Sequence, residues 1–303
     1  MAMWTSNSSD PKCSADLIGP EYIVFVVCNS ISGTVAIIGN GIILLVVYRS
    51  RRLHTASNML LCSLAAADLS VGLIVNPMYI ALTTTKTWVT PTPLYKFENY
   101  IWIQTLITTS FSLTAISVDR YFAVTCPFRY QKLVKKKPTR WVIVFIWTFS
   151  AIFPSVICIQ ASDSILWVSS LVITFLLPAF IMSYCNFRVF RTAQSQINKI
   201  RFSSKYCTVE IKGKFNNHKA SCTIGIIIGF FIILFSPNFV FSVIEFSSND
   251  VCFKLHTYRS WLWGIFIAFS SSAVNPFVYA IRIKTLRKAC LTAVTRFICK
   301  DSL

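Results

Sequence analysis

The sequence predicts an all-α membrane protein, a bundle of seven transmembrane helices followed by a short amphipathic eighth. Three observations predict it. Of 303 residues, 54% are hydrophobic and 13% are charged, against roughly 25% charged in soluble domains. Seven stretches stay apolar for the roughly 20 residues that a helix needs to cross a bilayer. The Lys and Arg residues fall almost wholly on alternate loops, the pattern of a chain threaded through a membrane. A net charge of +18 would suggest nucleic acid in a soluble protein. Confined to loops, it suits anionic lipid instead, and no nucleic-acid partner is expected.

The stretches are Tyr22–Tyr48, Asn58–Thr85, Asn99–Val118, Trp141–Ser162, Ile165–Tyr184, Ala220–Ile244 and Ser260–Ile281, free of Asp, Glu, Lys and Arg except for Asp68. In hydrocarbon the backbone must satisfy its own polar groups, so each reads as an α-helix. Any one alone would pass for a buried core helix; seven in succession do not. The first, third and fifth loops and the tail hold every Lys and Arg except Lys12, Lys86, Lys96, Lys254 and Arg259. The N-terminus is therefore expected outside, with those loops and the C-terminus cytoplasmic. The organisation is an extracellular N-terminus (1–21), the bundle (22–282), then an amphipathic helix and cytoplasmic tail (283–303). No cleavable signal peptide is expected, since the apolar run after the polar start is too long for one. Asn7-Ser8-Ser9 is a glycosylation sequon on the outer side.

The first span holds Gly39-Asn40, an amide deep in an aliphatic run, whose plain reading is a hydrogen bond to a neighbouring helix. The second carries Asp68 within LAAADL, near mid-membrane, where an acid marks a functional site by default. The third ends SLTAISVDRYFAVTCPFRY. Its adjacent opposite charges, Asp119 and Arg120, stand at the membrane edge beside Tyr121, where they are expected to be paired or used. The fourth has Trp147, read as a lipid-facing packing residue, and Pro154. Only two residues separate the fourth and fifth runs, so part of Ile157–Ser164 is expected to form a very tight turn. In the fifth, Pro178 removes a helix hydrogen bond and permits a bulge or kink. In the sixth, Pro237 introduces a kink, with Phe231 and Phe235 four residues apart on one side. The seventh ends Asn275-Pro276-Phe277-Val278-Tyr279, where Asn275 can satisfy a carbonyl freed by Pro276 or face Asp68. Beyond it, Ile283–Val294 is a basic amphipathic segment suited to the inner leaflet, and Cys290 and Cys299 are candidate palmitoylation sites. Of eleven cysteines, Cys13, Cys158 and Cys252 are near the outside, and an odd count leaves their pairing open.

In this order and spacing, Asn40, Asp68, Asp119–Tyr121, Trp147, Pro178, Pro237 and Asn275–Tyr279 resemble the helix motifs of rhodopsin-like (class A) G-protein-coupled receptors, nearest the amine-receptor group. The resemblance implies a multi-pass plasma-membrane receptor, not an enzyme, that passes the binding of an extracellular ligand to a heterotrimeric G protein. Arrestin is a further partner, and the lipid bilayer is its solvent. Arg120, released from Asp119, would face a cytosolic cavity for the G-protein α-subunit. Pro178, Phe231, Phe235, Pro237, Asn275, Pro276 and Tyr279 would take part in the rearrangement. Asp68, with Thr109, Ser271 and Asn275, would hold an allosteric sodium ion, the one cofactor implied. The ligand pocket would be lined by Glu98, Trp102, Phe235, Phe239, Ile265 and Phe269, with Glu245 at its rim.

Several positions depart from the family. Tyr95 stands where a bridging Cys usually begins the third helix, and Trp102 where amine receptors place the acid that pairs with ammonium. Asn186 replaces a Tyr, Phe235 a Trp, and Asn217 the acid that often latches the DRY arginine, so raised basal signalling is expected. The ligand expected from this lining is aromatic, lipid-like or a cationic peptide. A ligandless or decoy receptor is the alternative function. A transporter fits less well, since Asp68 is the sole charge within the spans and no internal repeat is visible. A retinal protein would need a Lys in the seventh span, where Phe269 stands.

Overall fold

The computed structural model describes residues 15–88, 92–160, 168–203, 231–241 and 250–282, with single positions at 229, 243, 244, 247 and 287. Asn7, Asn217, Glu245, Cys290, Cys299 and nearly all of 283–303 lie outside the described residues, as does the basic loop before the sixth span. The described chain is helical throughout. The helices are α1 (Pro20–Arg49), α2 (Ala56–Thr85), α3 (Pro93–Thr125), α4 (Lys136–Gln160), α5 (Val168–Ser195) and α6 (Phe231–Phe241), and α7 (Val251–Arg282). Five of them, α1, α2, α3, α5 and α7, are long and apolar enough to cross a membrane. A short helix, Pro127–Leu133, fills the loop after α3.

Caps explain why several helices outrun their apolar stretches. Thr92 accepts from the Tyr95 amide at 3.2 Å and Pro93 follows at the first helical position. A side-chain acceptor and a residue with no N–H to lose together start α3 well before Asn99. Asp250 Oδ1 likewise accepts from the Cys252 amide at 2.9 Å, starting α7 ahead of the expected Ser260. Cys252 is disulfide-bonded. α4 runs helically to Gln160; the rest of the stretch expected to hold the turn, 161–164, lies outside the described residues.

Two prolines leave the same mark. A single π-turn, Val71–Val75, precedes Pro77, and another, Val172–Leu176, precedes Pro178. A proline ring collides with the carbonyl four residues back and offers it no N–H. One extra residue in that turn relieves both faults, which is how π-bulges enter helices.

α3 packs against α2, α4 and α5, while α1 packs against α2 and α7. The surface is inverted relative to a soluble protein. Ile31, Ile38, Phe145, Ile152, Phe180 and Phe277 are exposed, whereas Asn29, Asn40, Ser63, Asp68, Thr108, Ser112 and Asp119 are buried. Apolar side chains facing out and polar ones facing in are what hydrocarbon selects. The close helix crossings fall at small residues. A Cβ on Gly72 would lie 2.8 Å from the Gly33 carbonyl oxygen, and one on Gly39 would lie 2.7 Å from Pro276 Cγ.

Trp147 does not merely face lipid. Its indole Nε1 donates to Ser63 Oγ of α2 at 3.1 Å, and Ser63 Oγ lies 3.3 Å from Ser112 Oγ of α3. One turn on, Thr108 donates to Ser150 Oγ at 2.9 Å. α4 is thus tied to both neighbours by polar contacts, the usual glue between helices in lipid. Ser63→Ala strands the Trp147 donor and is expected to cost about 1–3 kcal/mol. Adding it to Trp147→Phe is expected to cost less than Ser63→Ala alone, because only the Ser112 contact is then lost, which thermal unfolding of the detergent-solubilised single and double variants would check.

Candidate functional site

At the centre of the bundle Asp68 is fully buried. Its Oδ1 accepts from Ser272 Oγ at 2.8 Å and its Oδ2 from Asn275 Nδ2 at 2.8 Å. Asn40 Nδ2 donates both to its own helix at Ala36 O (2.9 Å) and across to the Ser272 carbonyl (3.0 Å). Three helices, α1, α2 and α7, therefore meet at Ser272. Asn275 is brought to Asp68 as the sequence suggested. Ser271 instead donates to Ala268 O at 2.7 Å in its own helix, and the hydroxyl at Asp68 comes from its neighbour Ser272. Thr109 is buried on α3. No Lys or Arg among the described residues lies within ion-pair distance of Asp68. A cavity lined by Leu113, Phe231, Ser271 and Asn275 lies close by, and the nearby Tyr279 hydroxyl is buried with no hydrogen-bond partner among the described residues. One carboxylate amid hydroxyl and amide oxygens is a hard, singly charged donor set that fits sodium. No cluster of His, Cys, Asp and Glu suited to a transition metal occurs among the described residues.

At one end of α3, Asp119 is buried, but Arg120 is not its main partner. Asp119 Oδ2 accepts from Ser57 Oγ of α2 at 2.7 Å, and Oδ1 from the Tyr130 hydroxyl of the loop helix at 3.1 Å. The two hydroxyls are themselves 3.2 Å apart. Arg120 Nε stands 3.9 Å from the carboxylate and, though buried, has no hydrogen-bond partner among the described residues. The adjacent charges thus make a long ion pair, and the carboxylate is held by neighbours that the sequence did not single out. Burial holds the Tyr130 phenol above its ordinary pKa; the Ser57 bond opposes this, and the Asp119 charge adds to it. The Tyr121 ring lies 6.4 Å from that of Tyr184 on α5. Asn186 turns back to Met182 O of its own helix at 2.8 Å.

At the other end of α3 the expected pocket residues divide into two groups. Phe235 stacks near Phe231 at 4.5 Å, and Phe239 lies 4.5 Å from Phe175 of α5, forming a ladder between α5 and α6. Trp102 and Phe269 belong to a separate chain of rings. It runs from Trp102 to Trp261 (6.2 Å), Tyr258 (5.0 Å), Trp88 (6.5 Å), Tyr79 (5.4 Å) and Phe269 (6.2 Å). Ile265 is buried in the shared core. Glu98, one turn before Trp102, is almost wholly buried, and its Oε1 has no hydrogen-bond partner among the described residues. The Tyr79 hydroxyl of α2 stands beside this carboxyl group and is its hydrogen-bonding neighbour. Sequence reasoning missed Tyr79, Trp88, Tyr258 and Trp261 because they lie on other helices or between spans. At the same end, Glu21 of α1 accepts from Arg259 Nη2, and from Trp263 Nε1 at 3.0 Å, clasping α1 to α7.

The family of seven-transmembrane receptors of the rhodopsin type matches residues 39–279. Among curated proteins, trace amine-associated receptor 7e of Rattus norvegicus is 28% identical, over 94% of this chain and 85% of its own length. The histamine H2 receptor of Rattus norvegicus is 28% identical, over 93% of this chain and 82% of its own. Trace amine-associated receptor 13c of Danio rerio is 27% identical, over 92% and 87%.

Proposed function

Since the chain belongs to the rhodopsin family of seven-transmembrane receptors, we propose that it transmits the binding of an extracellular ligand to a heterotrimeric G protein at the Asp119 end of the bundle. The observation that carries this reading is the state of the DRY charges. Both Asp119 oxygens are engaged by Ser57 and Tyr130 hydroxyls, while the buried Arg120 Nε has no hydrogen-bond partner among the described residues. A cation so weakly held at the cytosolic edge can be re-sited at little expense when a partner offers backbone carbonyls or an acid. The basic loops at this end support a cytosolic orientation for it.

A ligand at the Glu98 end acts by binding one helix packing better than the other, and shifts the balance only by that difference. α7 links the two ends. Its outer half carries Trp261 and Phe269, its middle Ser272 and Asn275, and its inner end Tyr279. Movement of α7 must therefore strain or relax the bonds that Ser272 and Asn275 make to Asp68. Asp68, with the hydroxyls of Ser271, Ser272 and Thr109 and the Asn275 amide, would hold sodium; the ion would supply the positive charge that the buried carboxylate lacks.

The test is second-messenger output without added ligand, in cells matched for surface expression of wild type and Arg120→Ala. Wild type is expected to shift cAMP, and the variant to return it to the mock-transfected level. An equal shift in both would remove Arg120 from coupling. A flat result in both, persisting across other second messengers with amine ligands added, would favour the decoy reading.

A further inference from the structure

Resting on the receptor reading above for what it covers, we infer that the segment ahead of α1, residues 15–18, is a lid over the Glu98 end of the bundle, tied to the head of α7 by a disulfide between Cys13 and Cys252. The segment is not helical, and its side chains alternate. Ala15 and Leu17 are each 3% exposed and Ile18 is 59% exposed, with Asp16 half-buried. A period of two is how an extended chain lays one face on a surface, whereas a loose terminus stays in solvent. Ala15 and Leu17 join the apolar core, whose members at this end include Leu82, Trp88, Leu255 and Tyr258. Cys252 is disulfide-bonded, and Cys28, Cys62, Cys126 and Cys185 are free. The cysteines left near this end are Cys13, which lies outside the described residues, and Cys158. Bonded cysteines keep their Cα atoms within about 7 Å. Cys158 stands on α4, which packs against α2 and α3, whereas α7 packs against α1 and α2. Cys13 belongs to the chain entering α1, and the Glu21–Arg259 ion pair fixes the register of α1 against α7. From Arg259 back to Cys252 is about 10 Å of helix. From Gly19 back to Cys13 an extended chain reaches about 20 Å, enough to cover that rise. In forming the bond, two thiols lose two electrons and two protons to an oxidant disulfide, which leaves as a dithiol; a dithiol reductant runs the exchange backwards. With Tyr95 in place of a bridging Cys at the head of α3, no bridge forms there, and the lid is held from α7 instead. It controls passage from water to the rings of Trp102, Trp261, Tyr258 and Trp88, and reduction loosens it.

The experiment begins with peptide mapping of purified wild-type receptor, digested without reduction after free thiols are blocked. A linked pair of peptides holding Cys13 and Cys252 is expected, and it should disappear on reduction. A Cys158–Cys252 pair or an unlinked Cys252 would overturn the proposal. The lid itself is read by labelling Leu17→Cys and Ile18→Cys receptors in detergent with a water-soluble maleimide, with occupancy at the introduced thiol measured by mass spectrometry. With the bond intact, position 17 is expected to label at least about 10-fold more slowly than position 18, since reaction there waits on local opening. With Cys13→Ser and Cys252→Ser added, or after dithiothreitol treatment and its removal, the gap is expected to close to about 3-fold or less, because the tie that disfavours the open strap is gone. Equal rates with the bond intact would show that there is no lid. A gap that survives loss of the bond would show that the disulfide does not hold it. The mapping and the contrast between positions 17 and 18 keep the bond intact, and stand even if the serine variant fails to fold. No readout involves G protein, so a tethered lid on a receptor that does not signal contradicts the coupling reading and leaves this one intact.

Discussion

Gly39→Ala is expected to lower both the melting temperature and the surface level of the receptor, while Gly41→Ala, two residues further on, preserves or raises both. Helix propensity favours alanine over glycine at each position by about 0.5–1 kcal/mol. What separates them is the neighbour. A Cβ on Gly39 would meet Pro276 at 2.7 and 2.8 Å, whereas one on Gly41 meets nothing within 4 Å. The proline ring is rigid and sits in the middle of α7, so it cannot swing aside as the tip of a flexible side chain would. α1 must retreat instead, and overpacking of this kind costs about 1–3 kcal/mol. Retreat also stretches the 3.0 Å bond from Asn40 to the Ser272 carbonyl, a loss of roughly another 0.5–1.5 kcal/mol. Thermal denaturation in detergent and surface labelling in cells give the comparison. A Gly39→Ala receptor as stable as Gly41→Ala would show that the α1–α7 approach is not tight.

The helices were legible because hydrocarbon leaves a chain no other way to pair its backbone, and that demand is written in length and composition alone. Their ends were less so. Thr92-Pro93 and Asp250 are visible cap signals, yet an apolar window stops where charge begins, so α3 and α7 emerge longer than their hydropathy. Rotation about each axis was harder still. Nothing in WVIVFIWTFSAIFP says that Trp147 turns its N–H toward Ser63. Ser271 and Ser272 lie four and three residues before Asn275, and both offsets share its helix face; only packing chooses Ser272 for Asp68. The DRY triplet announced that Asp119 and Arg120 matter, but Ser57 and Tyr130 reach Asp119 from another helix and from the loop, where no spacing rule points. The sequence marks Glu98 only as one residue of the pocket lining. That it lies buried beside Tyr79 follows from two antiparallel helices meeting, which a one-dimensional pattern does not record.

Asp68→Leu and Asp68→Asn are expected to part company, and the difference isolates what the charge does. Leucine leaves Ser272 Oγ and Asn275 Nδ2 as buried donors without their acceptor, each costing about 1–3 kcal/mol. That receptor is expected to unfold early and reach the surface poorly. Asparagine presents one oxygen to the Asn275 amide and one N–H to the Ser272 hydroxyl, which can turn to accept it. Most of the α2–α7 tie survives, and stability in sodium-free buffer is expected to stay within about 1 kcal/mol of wild type. What Asp68→Asn removes is the negative charge, and with it the reason for a cation to sit there. A ligand that binds only the folded state raises its stability by mass action. Wild type is thus expected to melt higher in sodium chloride than in N-methylglucamine chloride at equal ionic strength, and Asp68→Asn to melt alike in both. An unchanged sodium-dependent shift in Asp68→Asn would move the ion elsewhere. No shift in wild type would reduce Asp68 to a polar clasp between α2 and α7.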